Sequence, residues 1–131
     1  MTYNRNAIYT YIVNAMKAEF PKAYFTSRLV AKPSQFPAIY IHEIDNSRPI
    51  QNVQLDFEDV QWESVYEIQV VSAKSNTAAS EAYDIVELAN AAMSRLYYRR
   101  FTQTNIDGGD TFTVVCRYRR VIGGGDTMPD T

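Results

Sequence analysis

Two stretches of the chain carry apolar residues at helical spacing, which predicts two α-helices. The first spans residues 4–20, and neighbouring turns bring together Ile8, Ile12, Ala15, Met16 and Glu19, of which all but the last are apolar. We expect it to end at Phe20-Pro21, because proline cannot continue a helix. The second spans residues 77–98. Its apolar stripe consists of Ala78, Ala82, Ile85, Val86, Ala89, Ala92, Met93 and Leu96.

Alternation of apolar and polar residues predicts β-strands between the two helices. Residues 23–31 and 36–44 form the first two. In the second of these, the alternation separates Ile39 and Ile41 on one face from Tyr40 and His42 on the other. We expect residues 45–49 (DNSRP) to break this strand, because they are typical turn residues.

The alternation changes phase within the next stretch. Up to residue 57 the apolar residues are odd-numbered, namely Val53, Leu55 and Phe57. Beyond residue 59 they are even-numbered, namely Val60, Trp62, Tyr66, Ile68 and Val70. Such a change requires a bulge, a bend or a turn, which we place at Glu58-Asp59. The sequence therefore predicts an extended arm over residues 51–57 and a central strand over residues 61–72.

Two further strands follow the second helix. They are predicted over residues 100–105 and 111–122, and the turn between them is Asp107-Gly108-Gly109-Asp110. In the last strand the alternation separates Phe112, Val114, Cys116 and Tyr118 from Val115, Arg117 and Arg119. Gly123-Gly124-Gly125 ends this strand.

These elements predict an α+β fold. Their order is helix, two strands, arm, strand, helix and two strands. We expect a two-layer sandwich in which both helices cover one face of a mostly antiparallel sheet of about four or five strands. Residues 1–123 form this single domain, and residues 124–131 are expected to be a flexible C-terminal tail.

Charge is divided unevenly along the chain. Seven acids and one base lie between Glu43 and Glu67, a net charge of −6, whereas six bases and two acids lie between Arg95 and Arg120, a net charge of +4. The whole chain of 131 residues carries only −2. Opposite patches of this kind favour binding to copies of the same protein, or to fixed partners, head to tail.

The residues that could perform chemistry do not form a recognisable site. His42 lacks the further ligands that zinc needs, and Cys116 falls among apolar positions, which favours packing over nucleophilic chemistry. We therefore expect no enzyme activity, metal or cofactor. An unrecognised enzyme that uses Glu63 and Glu67, neighbours on one strand face, remains an alternative.

The run Arg117-Tyr118-Arg119-Arg120 is basic with an aromatic inside, a combination found in proteins that bind nucleic acid. Alternation puts Tyr118 opposite Arg117 and Arg119, so these side chains do not form one stacking platform. The sequence pI of about 5.3 also disfavours general nucleic-acid binding. Phosphate contact, salt bridges to an acidic protein surface and a solvated strand remain open for this run.

Three segments of the chain are similar to parts of a known protein family: FPAIYIHEI, WESVYEIQVVSAKSNTAASEAYDIVELANAAMSRL and TFTVVCRYRRVIGG. With the first helix, they resemble the tail terminator (tail completion) proteins of long-tailed bacteriophages. The resemblance covers most of residues 1–123. The resemblance implies a structural virion protein that forms a ring, usually of six copies. The ring caps the tail tube, ends tail polymerisation and offers the surface to which the head attaches.

The resemblance also implies partners and a location. The partners are copies of the chain, the tail-tube protein and head-tail connector proteins, with no membrane and no sequence-specific nucleic acid. DNA would touch the ring only passively, in its lumen. The location is the head-proximal end of the virion tail, after assembly in the host cytoplasm. A head-tail connector (neck) or minor capsid protein is the first alternative, and a non-viral protein-binding adaptor module is the second.

A ring needs two different, complementary patches on each subunit. The acidic and basic segments provide candidates, and the apolar residues of the arm add area that could be buried. The predicted interface residues are Val53, Leu55, Asp56, Phe57, Glu58, Asp59, Arg99, Arg100, Arg117, Arg119 and Arg120.

Overall fold

The computed structural model describes residues 5–28, 33, 35–47, 61–73 and 77–123. Its elements are, in chain order, α1 (Arg5–Lys17), β1 (Tyr24–Thr26), β2 (Ala38–Ser47), β3 (Gln61–Ser72), α2 (Ala78–Arg95), β4 (Arg99–Asp107) and β5 (Phe112–Gly123). The strands form one five-stranded sheet in the order β1-β2-β3-β5-β4. β1 runs parallel to β2, and the other pairs are antiparallel. The predicted α+β class is confirmed, with a mixed sheet, whereas the two-layer packing stays a prediction.

One apolar core joins both helices to one face of the sheet. The buried helix residues of this core are Ile8, Ile12, Met16, Ala82, Ile85, Val86, Ala89, Met93 and Leu96. The strand residues define what we call the inner face: Ile39, Ile41, Tyr66, Ile68, Val70, Val114, Cys116 and Tyr118. Helix α2 packs on β3 and β5, and α1 packs on α2 and more lightly on β2. Ala82, Ala89 and Ala92 are fully buried on this side of α2, and their small side chains allow the helix to approach the sheet closely.

The helices are shorter than the sequence predicted. Helix α1 ends at Lys17 rather than at Phe20-Pro21, because a tight turn follows in which the Met16 carbonyl accepts hydrogen bonds from the backbone N–H groups of Glu19 and Phe20. Ala15 is half-buried and Glu19 is exposed, so the apolar stripe of this helix is narrower than expected. Helix α2 ends at Arg95, three residues before the predicted position.

Strand β2 continues beyond its predicted end. The expectation that residues 45–49 break it is wrong for Asp45–Ser47, which stay paired with β3. The register shifts between Glu43 and Asp45, so Ile44 forms a bulge. A bulge absorbs one extra residue and lets the ladder of backbone hydrogen bonds resume. Polar turn-type residues therefore stay in the strand, because β3 still offers them backbone partners.

The central strand is confirmed over Gln61–Ser72, and Tyr66, Ile68 and Val70 of its even-numbered residues face the core as predicted. The hairpin turn is also confirmed. Gly109 has a φ of +84°, a conformation that glycine adopts without strain, and its N–H donates to Asp107 Oδ1 at 3.0 Å. The strand predicted over 23–31 is limited to Tyr24–Thr26 within the described residues.

Several predictions concern residues outside the described ranges. These are the arm over residues 51–57, the bend at Glu58-Asp59 and the tail over residues 124–131. The complete element order, with the arm in it, therefore stays a prediction. Within the part of the chain that the structure describes, neither helix is long and apolar enough to cross a membrane.

Candidate interaction surfaces

The sheet has a second face, which we call the outer face. It is formed by Tyr40, His42, Asp45, Glu63, Val65, Glu67, Gln69, Val115, Arg117, Arg119 and Arg99. Strand register orders these residues in rows across the sheet. One row runs Asp45, Val65, Arg119, Arg99. The next runs His42, Glu67, Arg117, Thr102. Acids thus occupy the β2–β3 side and arginines the β5–β4 side.

The acidic and basic segments meet inside one chain at the ion pair between Arg117 and Glu67. Arg117 Nε lies 3.1 Å from Glu67 Oε1, across the β3–β5 pair. The Glu67 side chain is 15% exposed and the Arg117 side chain 49%. Two of the charges that suggested an interface between subunits therefore already neutralise each other within the subunit. Glu67 is consequently a poor candidate for the alternative site with Glu63, although both lie on the outer face as predicted.

The basic corner of the outer face also carries exposed apolar groups. The guanidinium carbon of Arg119 lies 5.3 Å from the centre of the Phe101 ring. Phe101 is 44% exposed, and Val121 on the neighbouring strand is 49% exposed. Arg99 lies opposite Arg119 in the β4–β5 register. We call Arg99, Phe101, Arg119 and Val121 the basic corner. Exposed apolar area next to arginines is typical of protein interfaces.

Arg100 and Arg120 belong to the other side of the sheet. Arg100 lies opposite Tyr118, an inner-face residue. Arg120 Nη1 donates to the Leu96 carbonyl at 2.9 Å, at the end of α2, and its guanidinium lies 5.5 Å from the Tyr97 ring centre. A cation at a helix C-terminus is stabilising. The five predicted interface arginines are therefore divided between two faces, which sequence adjacency alone could not reveal.

The C-terminus of α2 holds an unusual exposed residue that the sequence did not indicate. Tyr97 has a φ of +65° and is 76% exposed. Backbone hydrogen bonds run from Tyr97 to Ser94 and from Tyr98 to Met93, the pattern of a Schellman cap. Glycine is the usual residue at this position. A tyrosine there costs backbone energy and buries little area, and the contact that the structure gives its ring is the one with the Arg120 guanidinium.

A partly buried chain of hydrogen bonds links β2, β3 and the short segment that follows α2, on the inner face of the sheet. Ser64 Oγ donates to Glu43 Oε2 at 2.7 Å and lies 2.7 Å from Tyr98 Oη. Ser64 is fully buried. The sequence predictions missed this group, and its only signal was a serine at an even-numbered, inward position of β3. The chain of hydrogen bonds ties the C-terminus of α2 to the centre of the sheet.

Glu43 also lines an open cavity of about 370 Å³ beside α1. The described lining residues are Asn6, Tyr9, Ser27, Ile41, His42, Glu43 and Tyr66. Burial, followed by the nearby Tyr24, raises the pKa of Tyr9. The phenol therefore stays protonated and can donate a hydrogen bond. His42 is exposed and stacks on Tyr40, with ring centres 5.7 Å apart.

The remaining side chains that could perform chemistry are buried in the core or hydrogen-bonded within the fold. Cys116 is buried, as predicted, and burial raises the pKa of its thiol, which disfavours the reactive thiolate. Burial likewise raises the pKa of Tyr118, whose hydroxyl donates to Asn90 Oδ1. Over the described ranges, no group of three or more His, Cys, Asp or Glu side chains could hold a metal ion. In the same ranges every buried side-chain nitrogen or oxygen has a hydrogen-bond partner.

The acidic half of the predicted interface is described only in part. Val53, Leu55, Asp56, Phe57, Glu58 and Asp59 lie outside the described residues. The acids that the structure describes on the outer face are Asp45, Glu63 and Glu67. Of these, Asp45 is exposed and Glu63 is half-buried. Because Glu67 is already paired with Arg117, Asp45 and Glu63 are the described acids of the outer face for which the structure gives no ion pair within the described residues.

Comparison with known proteins adds no family to this description. No protein-family model matches the sequence, and no curated protein matches it. The resemblance to tail terminator proteins thus rests on the quoted sequence segments. The chain's own surfaces must therefore support any functional conclusion.

Proposed function

We propose that this chain is a structural subunit that assembles with copies of itself into a ring at the head-proximal end of a bacteriophage tail. The ring caps the last ring of tail-tube protein, ends polymerisation and presents the surface for head attachment. The sequence resemblance suggests the tail. The observation that carries self-assembly is the separation of charge across the open outer face of the sheet.

Charge separation of this kind suits a ring, because ring interfaces are heterologous: one patch meets a different patch on the next subunit. The basic corner of one copy faces the Asp45 and Glu63 side of its neighbour. Phe101 and Val121 supply apolar area that is lost to water on contact, at about 25 cal/mol per Å². Each exposed charge pair adds only about 0–1 kcal/mol, so the charges chiefly set register and partner choice.

The arm, residues 51–57, is assigned to the interface from its sequence alone. Val53, Leu55 and Phe57 alternate with polar residues, so an extended segment would present three apolar side chains on one side. Such a segment can bury area on a neighbouring subunit. Deleting residues 51–57 should therefore lower the oligomer mass measured by light scattering, and an unchanged mass would remove the arm from the interface.

The ring is tested by native mass spectrometry of the purified chain over a range of concentrations. We expect one closed species whose mass is a fixed multiple of the subunit mass. Arg119→Glu should shift this species to smaller ones, because it reverses a charge in the basic corner. Arg28→Glu is the matched control: Arg28 is exposed and lies outside the outer-face rows. A chain that stays monomeric at every concentration would contradict the ring.

The tail role needs a second measurement. Tail-tube protein polymerising in vitro should stop at shorter lengths in electron micrographs when the native chain is added, and Arg119→Glu should be less effective. Neighbouring genes for tail-tube and tape-measure proteins are expected on the genome of origin. A ring that leaves tube length unchanged would refute termination while leaving self-assembly intact, and would favour a connector role.

A further inference from the structure

Strand β4 is an edge strand whose residues are all exposed. Its nine residues, Arg99–Asp107, pair only with β5 within the described part of the chain. Helix α2 makes only slight contact with it. An edge strand of this length offers a row of backbone N–H and C=O groups to a further strand. Its sequence, RRFTQTNID, contains no proline and no lysine, two residues that commonly block such pairing.

A bulge in β4 changes which charged residues share a face. The register shifts between Arg100 and Thr102, so Phe101 is the extra residue. Arg100 therefore lies on the inner-face side of β4, together with Gln103, Asn105 and Asp107. The side chains agree with this placement: Arg100 Nη1 donates to Gln103 Oε1, and Gln103 Nε2 donates to Asn105 Oδ1 at 3.1 Å. Without the bulge, Arg100 and Asp107 would lie on opposite faces.

We propose that β4 pairs antiparallel with β4 of a second copy. The two-fold axis passes between Gln103 of one copy and Gln103 of the other. In this register Thr102 of one copy lies opposite Thr104 of the other. Because the bulge counts as one position, Arg100 lies opposite the second copy's Asn105 and diagonal to its Asp107. Diagonal neighbours on one face of a sheet are within reach of long side chains such as arginine.

Charge complementarity indicates that the strand that pairs with β4 is β4 of a second copy. The basic end of β4 carries Arg99 and Arg100, and its other end carries Asp107. Antiparallel pairing brings each basic end to an acidic end, twice per dimer by symmetry. Parallel pairing of two copies would instead set arginine beside arginine, which is destabilising. The strand therefore carries both the basic and the acidic groups that antiparallel pairing with a second copy requires.

The contact does not depend on the proposed ring, because it uses the edge of the sheet rather than its outer face. If both contacts form, the two-fold β4–β4 contact joins two rings into one assembly with dihedral symmetry. Native mass spectrometry would then show twice the mass of a single ring. If only the β4 contact forms, the species is a dimer, and the proposed ring fails while this inference stands.

A charge exchange tests the pairing in the full chain by sedimentation equilibrium. Arg100→Asp and Asp107→Arg should each weaken the two-fold association about tenfold or more, because each creates like-charge neighbours. The double variant should return to within about threefold of the native constant, since it places the two opposite charges near each other again with their positions exchanged. Asp107 also accepts a hydrogen bond from the Gly109 N–H, and the double variant carries the same turn change. Rescue therefore cannot come from the turn.

The matched control is Arg28→Asp combined with Asp107→Arg, which has the same composition as the exchange but should show no rescue. Failure of the exchange to restore association, or single variants that associate like the native chain, would overturn the proposal.

Disulfide cross-linking gives an independent test that does not rely on charge. The variants are Thr102→Cys and Thr104→Cys. Both positions lie on the outer face, away from the buried native Cys116. An oxidised equimolar mixture of the two variants should form cross-linked heterodimers, because these positions face each other across the axis. Thr102→Cys mixed with Ile106→Cys is the control, since Ile106 is two residues out of register, and it should cross-link much less. Equal yields from the two mixtures would overturn the proposed register.

Discussion

Strands β3 and β4 are both antiparallel partners of β5, yet they lie in opposite environments. Along β3, Tyr66, Ile68 and Val70 are at most 2% exposed, and helix α2 packs on them. All nine residues of β4 are exposed. Backbone pairing with β5 is common to both, so pairing does not decide which strand builds the core. The helices decide it, because α2 packs on β3 and makes only slight contact with β4.

Mutations in the two strands should differ most strongly in their cost to stability. Ile68→Ala removes a fully buried side chain and leaves a cavity, so the free energy of unfolding should fall by about 2–5 kcal/mol. Ile106→Ala in β4, where the side chain is 50% exposed, should cost less than about 1 kcal/mol. Urea unfolding of the two variants measures both values. Similar losses would mean that β4 is as much a part of the core as β3.

The partly buried hydrogen-bond chain should give the next largest effect. Ser64→Ala leaves Glu43 and Tyr98 without their bonds to Ser64, which should cost about 1–3 kcal/mol. Ser94→Ala is the matched control on the exposed side of α2. It should be neutral or stabilising by up to about 0.5 kcal/mol, because alanine is the better helix former. Equal effects at the two serines would show that the hydrogen bonds do not hold the helix end to the sheet.

Burial on the inner face should also appear in the pH dependence of stability. The raised pKa of Tyr118 means that the folded state keeps the phenolic proton above pH 10, where the unfolded state loses it. This contribution is complete below pH 10 and declines above it, by about 1.4 kcal/mol per pH unit. Tyr118→Phe should flatten this decline in urea unfolding at pH 9 to 11.5. Part of the slope should remain, because burial also raises the pKa of Cys116, Tyr9 and Tyr40.

A charge removed from the outer face should change stability least. Glu67→Gln removes the ion pair with Arg117, whose side chain is half-exposed, and should cost only about 0–1 kcal/mol. The difference from the native chain should shrink further in 1 M salt, where charges are screened within about 3 Å. Thermal unfolding at low and high salt measures both. A loss comparable to that of Ile68→Ala would mean that the outer face contributes to stability like the core.

Local sequence predicted most elements because each carried its own periodic signal. The stripe of α2, the alternation of β3 and the Gly108-Gly109 turn are all local, and all were confirmed. The ends of α1 and β2 were not, because they depend on partners elsewhere. The Met16 carbonyl closes a turn after α1, and β3 keeps Asp45–Ser47 paired. No periodicity within a segment contains that information.

The candidate surfaces show the same division. The charge of each segment and the alternation of its residues can be read from the amino-acid order. Folding adds three contacts that this order does not contain: Arg117 pairs with Glu67, Arg120 caps α2, and a bulge moves Arg100 to the side of Asp107. Charge and periodicity belong to the chain, whereas the face on which a side chain lies depends on register. Register is set by pairing between strands that are distant in sequence.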